Sequence, residues 1–248
     1  MPCLICGNAK TVEAHIIPRA LYRIIAGEHQ HGYESSRFKA GVKYQAKGLF
    51  DSNILCSSHE AMLGEADSYG IEFIKSFNTA GSVALNGRAL LLPNPKPALL
   101  VKFVASLIWR RGVSQVQREY ADLDLGPAEP KLRALLFSGE TRYNPPIIVS
   151  KRPLMSQGEL LRELMFEPAK HGEWGHNSWY FYALGIEFII KLNPYSSQPF
   201  PYAYLANDKT GVLAHIHQPL EADKMDGFMD LTMNMFRDPK TGNYRELI

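Results

Sequence analysis

"CLICG", residues 3–7, sets two cysteines two residues apart and closes on a glycine. The chain holds one other cysteine, Cys56, inside "ILCSSHE", residues 54–60. There Cys56 and His59 repeat the same separation, so the two stretches together offer four nitrogen and sulfur ligands. Zinc prefers four such ligands in a tetrahedron, and a closed set of this kind is a structural site. A two-residue spacing lets both sulfurs of a tight turn face one ion, and His59 falls in the first turn of a helix that starts after Cys56. The spacing predicts one structural Zn2+ on Cys3, Cys6, Cys56 and His59, and a small N-terminal unit folded around it. A redox role for Cys3 and Cys6 fits less well, because no strand leads into the pair.

Between the two pairs lies "TVEAHIIPRALYR", residues 11–23, which reads as a short strand over 11–17 followed by a helix from about Arg19, after Pro18. Its histidine, His15, would sit on the strand, just before a turn and between two zinc half-sites. With these residues the sequence resembles the HNH (His-Me finger) endonuclease family, and within it a bacterial subgroup of HNH-like proteins. "CLICG", "AHIIPRALYR" (14–23), "ILCSSHE" and "SLIWRRGVS" (106–114) follow the order of the subgroup's motifs. The similarity is firm to about residue 75, weaker through Trp109 and silent beyond.

That resemblance implies a zinc-braced, treble-clef-like ββα unit with His15 as the general base of phosphodiester hydrolysis. A histidine suits the role because its ordinary pKa of about 6.5 leaves it free to take a proton near neutrality. The resemblance further implies a catalytic Mg2+ or Mn2+ held by Glu13, Asp51 and Glu60; the residue that orients the base aligns with Asp51 or Asn53, and Asn53 is preferred for that role, with Asp51 on the metal. Three positions depart from the family pattern, the first being His59, which stands where the family has a cysteine as the last zinc ligand. Glu60 stands where a metal-binding histidine is common, and the acid before the strand histidine is displaced to Glu13. The implied activity is cleavage of DNA, with an anti-phage or restriction-like setting by analogy. The rival expectation is a non-catalytic, zinc-stabilised adaptor that binds nucleic acid or protein.

The stretch from Gly27 to Phe50 is polar and punctuated by glycine, and it reads as a long loop. Arg37, Lys39, Lys43 and Lys47 alternate there with Tyr33, Phe38 and Tyr44, a mixture suited to phosphate contacts and base stacking. A solvated loop is the equal alternative. His29 and His31 read as surface residues.

Further on, residues 60–78 read as a helix with Glu65 and Asp67 on a solvated face. "SVALNGRALLL" (82–92) reads as a hairpin turning at Asn86-Gly87, and Ala98–Tyr120 as the longest helix, with Trp109 in the core. Arg110 and Arg111 would either contact a phosphate or anchor this helix to the zinc unit. "WYFYALG", "IEFIIKLN", "PYAYLA" and "GVLAHIHQP" read as strands. His215 and His217 would share one strand face, with no third metal ligand evident. Residues 221–238 read as a closing helix with a methionine-rich face.

The fold class expected is α+β: an HNH-like ββα unit over residues 1–78, a hairpin and long connecting helix over 79–121, and a C-terminal α+β domain with an antiparallel sheet over 122–248. Composition narrows the setting. With 46% hydrophobic and 21% charged residues the chain matches a soluble globular protein. No apolar run approaches the roughly 20 residues of a membrane span, and the N-terminus lacks a signal pattern, so no membrane partner is expected. Three cysteines in 248 residues exclude a disulfide scaffold and point to the reducing cytoplasm. A net charge of +2 neither requires nor excludes a polyanionic partner, so charge placement has to decide. The expected partners are nucleic acid, DNA first, and a protein reached through the C-terminal domain.

Overall fold

The computed structural model describes residues 2–27, 32–36, 39–45, 47–116, 123–139, 142–156, 159–161, 163–170, 178–193, 206–207 and 209–221. Arg37, "PYAYLA" up to its last residue, and the closing helix lie outside these residues, as do the side chains of Tyr33 and Lys39. The chain is a mixed α+β protein with one large sheet and several helices.

The N-terminal part starts with a turn at residues 4–6, then strand β1 (Ala14–His15) and helix α1 (Arg19–Ala26). Helix α1 begins after Pro18, whose fixed φ suits a helix entry. It ends at Gly27, whose φ of 56° lies in the left-handed region that glycine adopts without strain. Residues expected to form a loop instead make a hairpin, β2 (Gly32–Ser36) with β3 (Lys39–Gln45), pairing Tyr33 with Tyr44. Strand pairing satisfies main-chain groups whatever the side chains are, so a polar, glycine-containing hairpin carries no hydrophobic period by which to read it. Strand β4 (Phe50–Asp51) returns antiparallel to β1, with Ala14 opposite Asp51 and His15 opposite Phe50. The helical stretch expected over 60–78 comes in two pieces, α2 (Ser57–Ala61) and α3 (Gly64–Ala80).

The hairpin turning at Asn86-Gly87 is present as β5 (Ser82–Ala84) and β6 (Ala89–Pro93). Asn86 at φ 54° and Gly87 at φ 85° supply the positive dihedrals such a tight turn needs. Helix α4 (Pro97–Val113) has proline in its first turn, is apolar on nearly every side, and stops at Ser114, short of the expected end. Helix α5 (Glu129–Phe137) follows, and then strands β7 (Ile147–Lys151), β8 (Leu154–Ser156), β9 (Glu159–Leu160), β10 (Met165–Lys170), β11 (Ser178–Ala183), β12 (Ile186–Lys191), β13 (Gly211–Ile216) and β14 (Leu220–Glu221).

Among the described residues the main sheet has seven strands in the order β10-β11-β12-β7-β13-β6-β5. Its pairs are antiparallel apart from β13 with β7. The 82–93 hairpin is therefore built into one sheet with strands from beyond residue 122. One sheet face packs on α3 and α4, where Phe188 of β12 meets Phe73 and Phe103 at ring distances of 6.2 Å each. Gly70 of α3 lies directly over the Phe103 ring of α4, where any β-carbon would collide with it, so glycine lets the two helices touch. Helix α4 thus lies between the sheet and the N-terminal unit. Trp109 is fully buried, as expected, and donates to Glu129 at 3.0 Å while its ring meets Phe137 of α5. No helix among the described residues is long and apolar enough to cross a membrane.

Candidate metal centre and histidine site

The two half-sites predicted from spacing come together. The Cys3 amide donates to the Asn8 carbonyl and the Gly7 amide to the Cys3 carbonyl, closing a tight turn that Gly7, at φ 73°, permits. This turn is fastened to the stretch before Cys56, since the Leu4 amide donates to Ile54 and the Val12 amide to Leu55. Cys56 precedes the first turn of α2, and His59 sits inside that turn. The ligand atoms of Cys3, Cys6, Cys56 and His59 all lie within 4.8 Å of one another.

The distances fit a metal tetrahedron. Zn–S bonds of ~2.3 Å and a Zn–N bond of ~2.0 Å imply edges of ~3.8 Å between sulfurs and ~3.5 Å from sulfur to nitrogen. Cys6 Sγ stands 3.9 Å from Cys56 Sγ, while His59 Nδ1 stands 3.6 Å from Cys3 Sγ and 3.2 Å from Cys56 Sγ. The cysteines form no disulfide. Burial pushes the Cys3 thiol up, but the amides of Cys6, Ile5 and Cys56 outweigh it and bring the pKa down to about 6. At Cys6 the Asn8 main chain is the largest influence and lowers the pKa, but desolvation and the neighbouring sulfurs of Cys3 and Cys56 together raise it. A cation among the sulfurs would favour both thiolates. This group can hold a metal ion such as zinc.

His15 is half-buried at the end of β1. The Lys47 carbonyl accepts from its ring, and Nε2 is buried with no partner, so the bond runs through Nδ1. Burial lowers the His15 pKa, and the charges of Arg19 and Arg110 lower it further against the opposing pull of Glu13. The ring is therefore held neutral, with the free lone pair on Nε2. Glu60, in α2, lies against the same strand end and receives the His15 main-chain amide. Its Oε2 is buried without a partner, and burial raises its pKa, with Arg110 opposing and Asp67 reinforcing.

A buried ion pair underlies this corner. Arg110 of α4, fully buried, meets Asp67 of α3 at 2.6 Å and donates to the His15 carbonyl at 2.9 Å. Asp67 thus leaves the solvated face expected of it, while Glu65 stays exposed, 3.7 Å from Lys96. Nothing local announces the Arg110–Asp67 pair, because its members are 43 residues apart. Arg111 points elsewhere, to Glu167 of β10 at 3.1 Å and to the Val116 carbonyl at 2.9 Å.

The remaining candidate residues are dispersed. Asp51 pairs with Ala14, so strand alternation turns its side chain to the face opposite His15. Its carboxylate is already occupied: Oδ2 accepts from Ser114 Oγ and the Gln115 amide, and Oδ1 from the Asn53 amide. Asn53 is exposed in the turn after β4. Glu13 is exposed and paired with Lys47 at 3.1 Å, and its charge is felt at His15. Lys43 and Lys47 are exposed, and the Lys47 ammonium also lies over the Phe50 ring at 5.7 Å. His215 and His217 do share a strand end, with ring centroids 4.6 Å apart. Among the described residues, Cys3, Cys6, Cys56 and His59 form the one group of three or more such ligands gathered tightly enough for an ion. Against family models, curated proteins and solved structures, the chain finds no match.

Proposed function

We propose that the protein is a zinc-braced, HNH-like hydrolase that cleaves phosphodiester bonds in DNA with His15 as general base. One observation carries the reading: an imidazole with Nδ1 fixed by the Lys47 carbonyl and Nε2 unpartnered, beside a carboxyl group whose Oε2 is also unpartnered. Buried polar atoms are normally hydrogen-bonded, and two adjacent groups with orphan atoms suit a site completed by water and substrate. Zinc on the Cys3–Cys6–Cys56–His59 set braces the strand pair and the start of α2 as in a treble clef. Glu60 offers a hard oxygen to Mg2+ or Mn2+, which keep most of their waters and need few protein ligands. That ion, when bound, neutralises charge on the phosphate.

The chain's own residues do the rest. Nε2 of His15 takes a proton from the attacking water, and the Lys47 carbonyl stabilises the imidazolium that forms by accepting from Nδ1. Arg110 holds the strand end that carries the base. Asp51 and Asn53 have no part in this scheme. The test is plasmid cleavage with added Mg2+ or Mn2+, wild type against His15→Ala. Loss of nicking by ~10²–10⁴-fold with zinc retained supports the reading. Equal rates sink it.

A second reading has an observation of its own. Asp51 is fully engaged in structure and Glu13 is held by Lys47, which leaves few ligands for a catalytic ion. A zinc-stabilised adaptor that binds without cleaving is the outcome if no metal elicits nicking while DNA is still bound.

A further inference from the structure

Helix α1, which follows the His15 strand, carries a charge pattern that its own packing does not explain. It buries Leu21, Tyr22 and Ala26 and leaves Arg19, Ala20, Arg23 and the capping Gly27 exposed. At 3.6 residues per turn these four positions fall on one stripe, with the two arginines just over one turn, about 6 Å, apart along the axis. Like charges at this spacing destabilise a helix, and "RALYRIIA" contains no acid to offset them. Among the described residues, neither guanidinium is in an ion pair. Glu163 meets the helix at Gly27, past its last turn. The stripe starts four residues beyond His15, and the charge of Arg19 is felt at the imidazole. The β2–β3 hairpin, which carries exposed Lys43, packs beside α1.

We propose that the Arg19–Arg23 face of α1 binds the phosphodiester backbone of the DNA substrate, with Arg19 on a phosphate beside His15 and Arg23 on a neighbouring one. This assignment rests on the nuclease reading above and adds the surface that holds the strand in place. A guanidinium suits the task, since its planar fork donates two hydrogen bonds to phosphate oxygens. A polyanion across the stripe would also relieve the repulsion between the two arginines.

The experiment is duplex-DNA binding by fluorescence anisotropy over a series of salt concentrations, in a His15→Ala background so that the probe stays intact. Each phosphate that is no longer neutralised should flatten the slope of log affinity against log salt by about 0.9, so Arg19→Ala/Arg23→Ala should flatten it by about 1.8. Arg19→Lys/Arg23→Lys should keep the slope, because charge sets it, while binding weakens. Lys75→Ala, at an exposed site on α3 paired with Glu72, should leave the slope unchanged. If the parent binds DNA and the double alanine variant keeps its slope, the α1 assignment is overturned and the nuclease reading stands. If the parent binds no DNA even at low salt, both fall together.

Discussion

Arg110 donates to the main-chain carbonyl of His15 at 2.9 Å, joining α4 to the end of a strand 95 residues earlier in the chain. The same guanidinium meets Asp67 at 2.6 Å with no exposure of its own side chain. A buried charge is tolerated only while paired, so this pair should be fragile to single changes and tolerant of joint ones. Arg110→Met leaves Asp67 unpaired and should cost about 3–5 kcal/mol. Arg110→Met/Asp67→Leu should recover most of that loss. Urea unfolding measures both, and a double variant no more stable than the single would refute the pair's role.

Zinc should be present at one ion per chain in freshly purified protein, by elemental analysis. Cys56→Ser should release it and unfold the N-terminal unit, because small modules of this kind fold around their metal. A chelator should do the same to the wild type. Protein that carries no metal and melts unchanged in chelator would rule the centre out.

Burial and two nearby guanidinium groups lower the pKa of His15, so its base form persists to a lower pH than in a free histidine. The cleavage rate should rise with pH through a value below about 6.5 and then level off. Glu60→Gln should slow cleavage and regain part of it at high Mn2+, if the carboxylate holds the ion. A rate that still climbs steeply above pH 8 would remove His15 from the role of base.

His217 is held near a pKa of about 4 by burial first, then by Arg152 and His215, against an ordinary 6.5. Between those values the unfolded chain binds a proton that the folded chain does not. Stability from this group is therefore full above pH 6.5 and declines as the pH falls toward 4. His217→Gln should flatten the fall in melting temperature over that window. An identical pH profile in the variant would show that other groups set it.

Sequence alone determined the features that depend on short spacing. Cys3 with Cys6 and Cys56 with His59 were legible because ligand geometry fixes their separation. The starts of α1 and α4 were legible from Pro18 and Pro97, and the β5–β6 turn from Asn86-Gly87, because these residues restrict or free φ locally. Tertiary structure decided the rest. The register that pairs Ala14 with Asp51 puts Asp51 on the face away from His15, and a one-residue shift would have reversed this. The β2–β3 hairpin stayed hidden because main-chain pairing leaves no mark on the sequence and this stretch carries no apolar period. Arg110 became the partner of His15, and Asp67 that of Arg110, only through the packing of α3 and α4. Contacts between residues 43 and 95 positions apart leave no periodic trace in the chain, since they arise when whole elements bury their apolar faces and carry the polar groups along.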